Sequence, residues 1–76
     1  MPDMTYEVKE IIATLDSDAK NPKQLRLVSW NGAAAKYDLR SWWEDKNGNE
    51  RMSKGITMDK EELYSLYEVL QKIFED

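Results

Sequence analysis

A small antiparallel sheet followed by one carboxy-terminal helix, an α+β arrangement of order ββββα, is what this 76-residue sequence predicts. Three observations carry the prediction. Short apolar runs separated by turn formers fill residues 6–58, Asn31-Gly32 is a strong turn signal between two of them, and beyond Asp59 the apolar period lengthens to that of a helix.

The first element, Tyr6 to Leu15, sets Val8, Ile11, Ile12, Ala13 and Leu15 in a mixed pattern that reads as a strand, although a helix also suits that spacing. Asp16 to Lys23 is rich in polar residues and turn formers and ends it in a loop. Leu25 to Trp30 follows as a second strand, with Leu25, Leu27 and Ser29 on one face and Arg26, Val28 and Trp30 on the other. After Asn31-Gly32, the run Ala33-Ala34-Ala35 makes the connection longer than a two-residue hairpin loop.

In the third strand, Lys36 to Trp43, alternation puts Lys36, Asp38, Arg40 and Trp42 on one face and Tyr37, Leu39, Ser41 and Trp43 on the other. Tyr37, opposite Arg40, is expected to pack in the core. Met52 to Met58 reads as a fourth strand, in which Gly55 marks a bulge or a close backbone approach.

Asp59 is a good helix N-cap, and Glu62 three residues later completes a capping box. Leu63, Leu66, Tyr67, Leu70, Ile73 and Phe74 then form an apolar stripe over about four turns. The stripe is expected to be core, part of it between chains, because one helix covers only part of a four-stranded sheet and the remainder calls for a second copy.

Residues 1–76 read as a single domain, without repeat, linker or low-complexity tract. A chain this short sits near the lower limit for an unassisted core. With no Cys and no His, disulfides and the usual zinc sites are excluded, so homodimerisation is the expected supplement, and no cofactor is expected. The missing His also removes the commonest general base, and no nucleophile–base pair or phosphate-binding glycine loop is present, so the sequence does not describe an enzyme. The pairs Glu44-Asp45 and Glu61-Glu62 read as a turn and a helix start. Without a membrane-length apolar run or a signal peptide at Met1-Pro2-Asp3-Met4, a soluble cytoplasmic protein is expected, nucleoid-associated in a bacterium.

Net charge is −4 and the pI near 4.8, which taken alone disfavours a nucleic-acid partner. The distribution reverses that reading. Residues 1–19 and 55–76 each carry −4, whereas residues 20–54 set eight Lys and Arg against four carboxylates, for +4. One positive face is expected, and at a Debye length of about 8 Å a local patch outweighs the global sum. Within it Lys36, Arg40, Arg51 and Lys54 interleave with Trp42 and Trp43, the combination that stacks bases and neutralises phosphates.

Taken singly, a tryptophan is more often core and a lysine more often merely solvated. Arg26 and Arg40 at alternate positions tip Trp30 and Trp42 toward stacking, with Trp43 the more structural of the adjacent pair. Arg26, Lys36 and Lys23 join Arg40 and Lys54 as candidate phosphate ligands, while Lys20 and Lys46 are read as solvated. Asp38 would repel phosphate unless it orients Arg40 or a neighbouring Lys through a charge-assisted hydrogen bond.

These residues resemble the single-stranded-DNA-binding domain of the transcriptional coactivator family called positive cofactor four (p15), and more closely its small bacterial YdbC-like branch. Asp38-Leu39-Arg40-Ser41-Trp42-Trp43, the polar turn, and Lys54-Gly55-Ile56-Thr57-Met58 before a capped helix carry the resemblance, together with Val28-Ser29-Trp30-Asn31 and Lys36-Tyr37-Asp38. It implies a curved four-stranded antiparallel sheet, a homodimer formed through helix and sheet edge, and paired strands presented to single-stranded DNA. It also implies that Arg40 and Lys54 face the nucleic acid, with Trp30 and either Trp42 or Trp43 supplying aromatic contact. The expected function is sequence-tolerant binding of single-stranded DNA, or RNA, in transcription regulation or DNA maintenance. An alternative of another class is a protein-interaction module of the transcription machinery, suggested by the acidic outer helix face of Glu61, Glu62, Glu68 and Glu75.

Overall fold

The computed structural model describes residues 5–75, so the reading of Met1 to Met4 lies outside the described residues. Strands β1 (Tyr6–Thr14), β2 (Lys23–Trp30), β3 (Lys36–Glu44), β4 (Glu50–Met52) and β5 (Ile56–Met58) precede helix α1 (Lys60–Phe74). All pairings are antiparallel. The sheet runs β1-β2-β3-β4, and β5 pairs with β3 beyond the end of β4.

The α+β class and the strands-then-helix order are therefore as expected, with one refinement. The single strand expected over Met52 to Met58 is two short ones, interrupted at Ser53-Lys54-Gly55. Ser53 bridges the gap: its amide donates to the Ser41 carbonyl at 3.0 Å, and its Oγ accepts from the Ser41 amide at 3.0 Å. Gly55 makes the close approach expected of it. A Cβ there would stand 2.5 Å from the Leu39 carbonyl oxygen and inside the van der Waals envelope of the Arg40 side chain.

The mixed pattern of β1 has a physical cause. Its register against β2 shifts between Val8 and Glu10 and again between Ile11 and Ala13. Each extra residue reverses the alternation, so the strand does not show period two although it pairs throughout. Asn31 and Gly32 both take positive φ, 52° and 78°, and the Ala33 amide donates to the Trp30 carbonyl at 2.9 Å, closing the expected tight turn.

Cross-strand pairing puts Arg26 beside Asp38, Gln24 beside Arg40 and Trp42 beside Met52 on one face. The other carries Leu25, Leu27, Tyr37, Leu39, Ile56 and Met58. The sheet curls over the first face. Were it flat, three strand spacings, about 14 Å, would separate β1 from β4. Tyr6 on β1 nevertheless donates its hydroxyl to Glu50 Oε1 on β4 at 3.1 Å.

The capping box of α1 is formed as expected: the Glu62 amide donates to Asp59 Oδ1 at 2.8 Å, and the Asp59 amide donates to Glu62 Oε1 at 3.0 Å. The expectation of a buried stripe is corrected within the chain, since no helix residue is buried. Leu63 and Leu66 are half-buried, while Tyr67, Leu70, Ile73 and Phe74 are exposed, Phe74 to 81%. Only Asp59 separates α1 from β5, and this short tether holds the helix over β3 and β5, leaving its distal turns beyond the sheet. A groove of about 760 Å³ lies between Tyr37 and the first half of the helix, lined by Leu63, Tyr64 and Tyr67.

Candidate nucleic-acid interface

The concave face is built from β1, β2 and β3 as a row of alternating cations and rings. The Arg26 guanidinium lies 3.9 Å from the Trp42 ring centroid, and that of Arg40 lies 4.8 Å from the Trp30 centroid. Tyr6 stands between the indoles, with centroids 5.6 Å from Trp30 and 5.8 Å from Trp42 at tilted angles. Such contacts hold a guanidinium flat against an aromatic face and contribute about 0.5–2 kcal/mol each, more as water is excluded.

Each guanidinium also has a carboxylate. Arg40 donates from Nε to Asp38 Oδ2 at 2.7 Å and from Nη2 to Oδ1 at 2.6 Å, and Thr57 Oγ1 donates to Asp38 Oδ1 at 3.2 Å. Asp38 is 0% exposed, so it has the orienting role expected of it. Arg26 donates from Nη1 to Glu50 Oε2 at 3.1 Å and from Nε to Gln24 Oε1 at 2.8 Å. Burial, and then the hydrogen bond and charge of Glu50, hold the Tyr6 hydroxyl above its ordinary pKa, with Arg26 opposing.

The fold therefore gathers Arg26, Trp30, Lys36, Arg40 and Trp42 on one face. Lys36 is exposed there, and Lys54 is exposed in the β4–β5 connection beside the Gly55–Arg40 contact. Lys36 and Lys54 make no ion pair among the described residues. Lys23 stands on the opposite face, across from Ser41, with Asp16 at 3.7 Å.

Trp42 is on the Arg40 face, as alternation requires, but it is 3% exposed and offers a base no open ring face in this chain. Trp43 is half-buried on the other face beside Arg51, so the expectation that Trp43 is the more structural of the pair is reversed. The cause is the curl, which brings Tyr6 and Arg26 over Trp42. The Nε1–H groups of Trp30 and Trp42 are both buried without a hydrogen-bond partner among the described residues.

Tyr6, Gln24 and Glu50 belong to this face and were not among the residues expected there. Tyr6 and Glu50 meet across the whole sheet, and no local spacing encodes that contact. Gln24 had a weak signal, lying two residues before Arg26 on the same strand face.

The fold and its face define the class of a small curved antiparallel sheet with a cation–aromatic concave face, followed by one helix. Residues 17–69 match the family described as Transcriptional Coactivator p15 (PC4), and the chain belongs to that family of non-enzymatic DNA-binding coactivator domains. It is also similar to a protein of Treponema pallidum (strain Nichols) described as uncharacterized, with 35% identity over 72 residues covering 93% of this chain and 81% of the relative.

Proposed function

We propose that this protein is a homodimer that binds single-stranded DNA with little regard to sequence. The observation that carries the reading is the cation–aromatic row of the concave face, on which Lys36 is exposed, with Lys54 exposed in the β4–β5 connection. Lys36 and Lys54 neutralise phosphates directly, and Arg40, held by Asp38, supplies fixed positive charge beneath them. Half-buried Trp30 is the indole of this face best placed to meet a base, while Trp42 supports the row from below. Stacking contributes about 1–3 kcal/mol per base and is tolerant of sequence.

The second copy is supported by the exposed apolar residues of α1, since soluble chains seldom leave contiguous apolar patches of this kind uncovered. Two curved sheets brought together through their helices make a longer groove than one short chain offers.

Lys36→Ala combined with Lys54→Ala is the direct test, because neither side chain holds a described carboxylate. On oligo-dT the double variant should bind more weakly, and the slope of log K against log salt should shrink by roughly 1.4, about 0.7 for each phosphate no longer neutralised. Unchanged affinity and slope would show that the lysines do not meet the backbone. The protein-interaction alternative would instead be favoured by a partner captured after nuclease treatment and retained by the double variant.

A further inference from the structure

Two carboxylates stand inside the cationic face, and they are held differently. Asp38 is sealed, bidentate to Arg40 and bonded by Thr57. Glu50 belongs to three-residue β4 at the sheet edge, its side chain is 44% exposed, and it reaches inward to Arg26 with one oxygen and to Tyr6 with the other. Arg26 is only 5% exposed, enclosed by Gln24, the Trp42 ring and Glu50. Of these, Glu50 alone is an anion, and it contacts a single guanidinium nitrogen where the fork geometry can take two oxygens.

Beside this contact opens a polar cleft of about 200 Å³, bounded by Gln24, Arg26, Trp42, Trp43, Glu44 and Glu50. Trp42, one of its walls, also has a buried indole N–H without a hydrogen-bond partner among the described residues, an uncommon state for such a donor. The region thus holds a buried guanidinium and, on it, a partly exposed anion from an edge strand.

We propose that Glu50 is an internal stand-in for phosphate at Arg26, displaced when a strand binds. The proposal rests on the single-strand-binding reading and names a residue that sets its affinity. A backbone phosphate takes the Arg26 guanidinium, and Glu50 turns out to solvent from its edge strand. Exchange is required because carboxylate and phosphate held together on Arg26 would place like charges in contact where water is scarce. Asp38 cannot exchange in this way, since leaving would strand it, charged, in the interior. Glu50 accordingly sets a threshold: a polyanion engaging Lys36 and Lys54 together with Arg26 displaces it, whereas a single free anion competes poorly.

The test compares Glu50→Gln with Glu44→Gln. Glu44 lies opposite Glu50 in the β3–β4 pair and borders the same cleft, yet its side chain makes no hydrogen bond or ion pair among the described residues, so the two variants remove the same charge at neighbouring places. In tryptophan-fluorescence titrations with oligo-dT, Glu50→Gln should bind about two- to fivefold more tightly than Glu44→Gln, in keeping with release of a partly exposed ion pair. Adding Arg26→Gln to both should erase the difference. Tyr6→Phe, which removes the other group holding Glu50, should also tighten binding, and it keeps the proposal testable if Glu50→Gln folds poorly. Equal affinities of Glu50→Gln and Glu44→Gln beside a binding wild type, or Tyr6→Phe binding no tighter than wild type, would overturn it. Absence of binding by every variant and by wild type would instead remove the parent reading.

Discussion

Arg40 and Asp38, two residues apart on one face of β3, form a bidentate ion pair of 2.6 and 2.7 Å whose carboxylate is fully buried. Basic residues in a candidate groove invite reading as free phosphate ligands, but this guanidinium is already committed. Its remaining nitrogen reaches Met52 Sδ at 3.5 Å and the Ser53 carbonyl at 3.4 Å, so Arg40 also ties β3 to the β4–β5 connection.

Removing either partner should destabilise the fold. Arg40→Ala leaves Asp38 charged and buried, and Asp38→Ala leaves Arg40 uncompensated, each at a cost of about 3–5 kcal/mol. Urea unfolding monitored by circular dichroism should show both effects, with the double variant less destabilised than their sum. Additive effects would mean that the pair is not coupled.

Gly55→Ala should destabilise by about 1–3 kcal/mol through overpacking against Arg40 and the Leu39 carbonyl, and should also weaken strand binding by displacing Arg40. Thermal melts and oligo-dT titrations read the two effects. A wild-type melt would show that the β4–β5 connection shifts freely.

Tyr6 predicts an alkaline effect. Its folded pKa is raised, so its contribution is fully present below the unfolded value of about 10 and is lost as pH rises through that value toward the folded one. Wild type should therefore lose more melting temperature between pH 8 and pH 11 than Tyr6→Phe. Equal losses would contradict the setting that raises it, burial first and then the Glu50 hydrogen bond and charge.

Asp45 gives the opposite sign in the β3–β4 turn. Hydrogen bonds from the Asn49 amide, the Arg51 side chain and the Asn47 amide hold its carboxyl below the ordinary range. What it contributes is present above the unfolded pKa and lost as pH falls through the lowered folded one. The Asn47 and Asn49 amide resonances should titrate below the usual aspartate value, and Asp45→Asn should abolish that titration. Titration at the ordinary value would mean that the turn is not formed.

What the sequence reveals of this protein follows the range of the interactions involved. The capping box of Asp59 and Glu62, the Asn31-Gly32 turn and the alternation of β3 are local, and each is formed where local chemistry places it. The strand of β1 is blurred by its two bulges, which no residue type announces. Trp42 is more deeply buried than its face alone implies, and Tyr6 and Glu50 are missed, for one shared reason: the curl carries β1 to β4, and period two specifies a face without specifying its curvature. Helix periodicity likewise marks Leu70, Ile73 and Phe74 as needing cover, but the described residues do not supply it.

That stripe makes its own prediction. Sedimentation equilibrium should find two copies at micromolar concentration, and Leu70→Asp with Ile73→Asp should yield a folded monomer. A monomeric wild type would remove the second copy from the account.

The central claim is tested most directly by titrating intrinsic tryptophan fluorescence with oligo-dT and with duplex DNA of equal length over a range of salt. Saturable quenching by the single strand, tighter than any response to duplex and weakening linearly in log salt by about 0.7 per phosphate engaged, is the predicted result. No response to the single strand at low salt, or equal affinity for duplex, would contradict it.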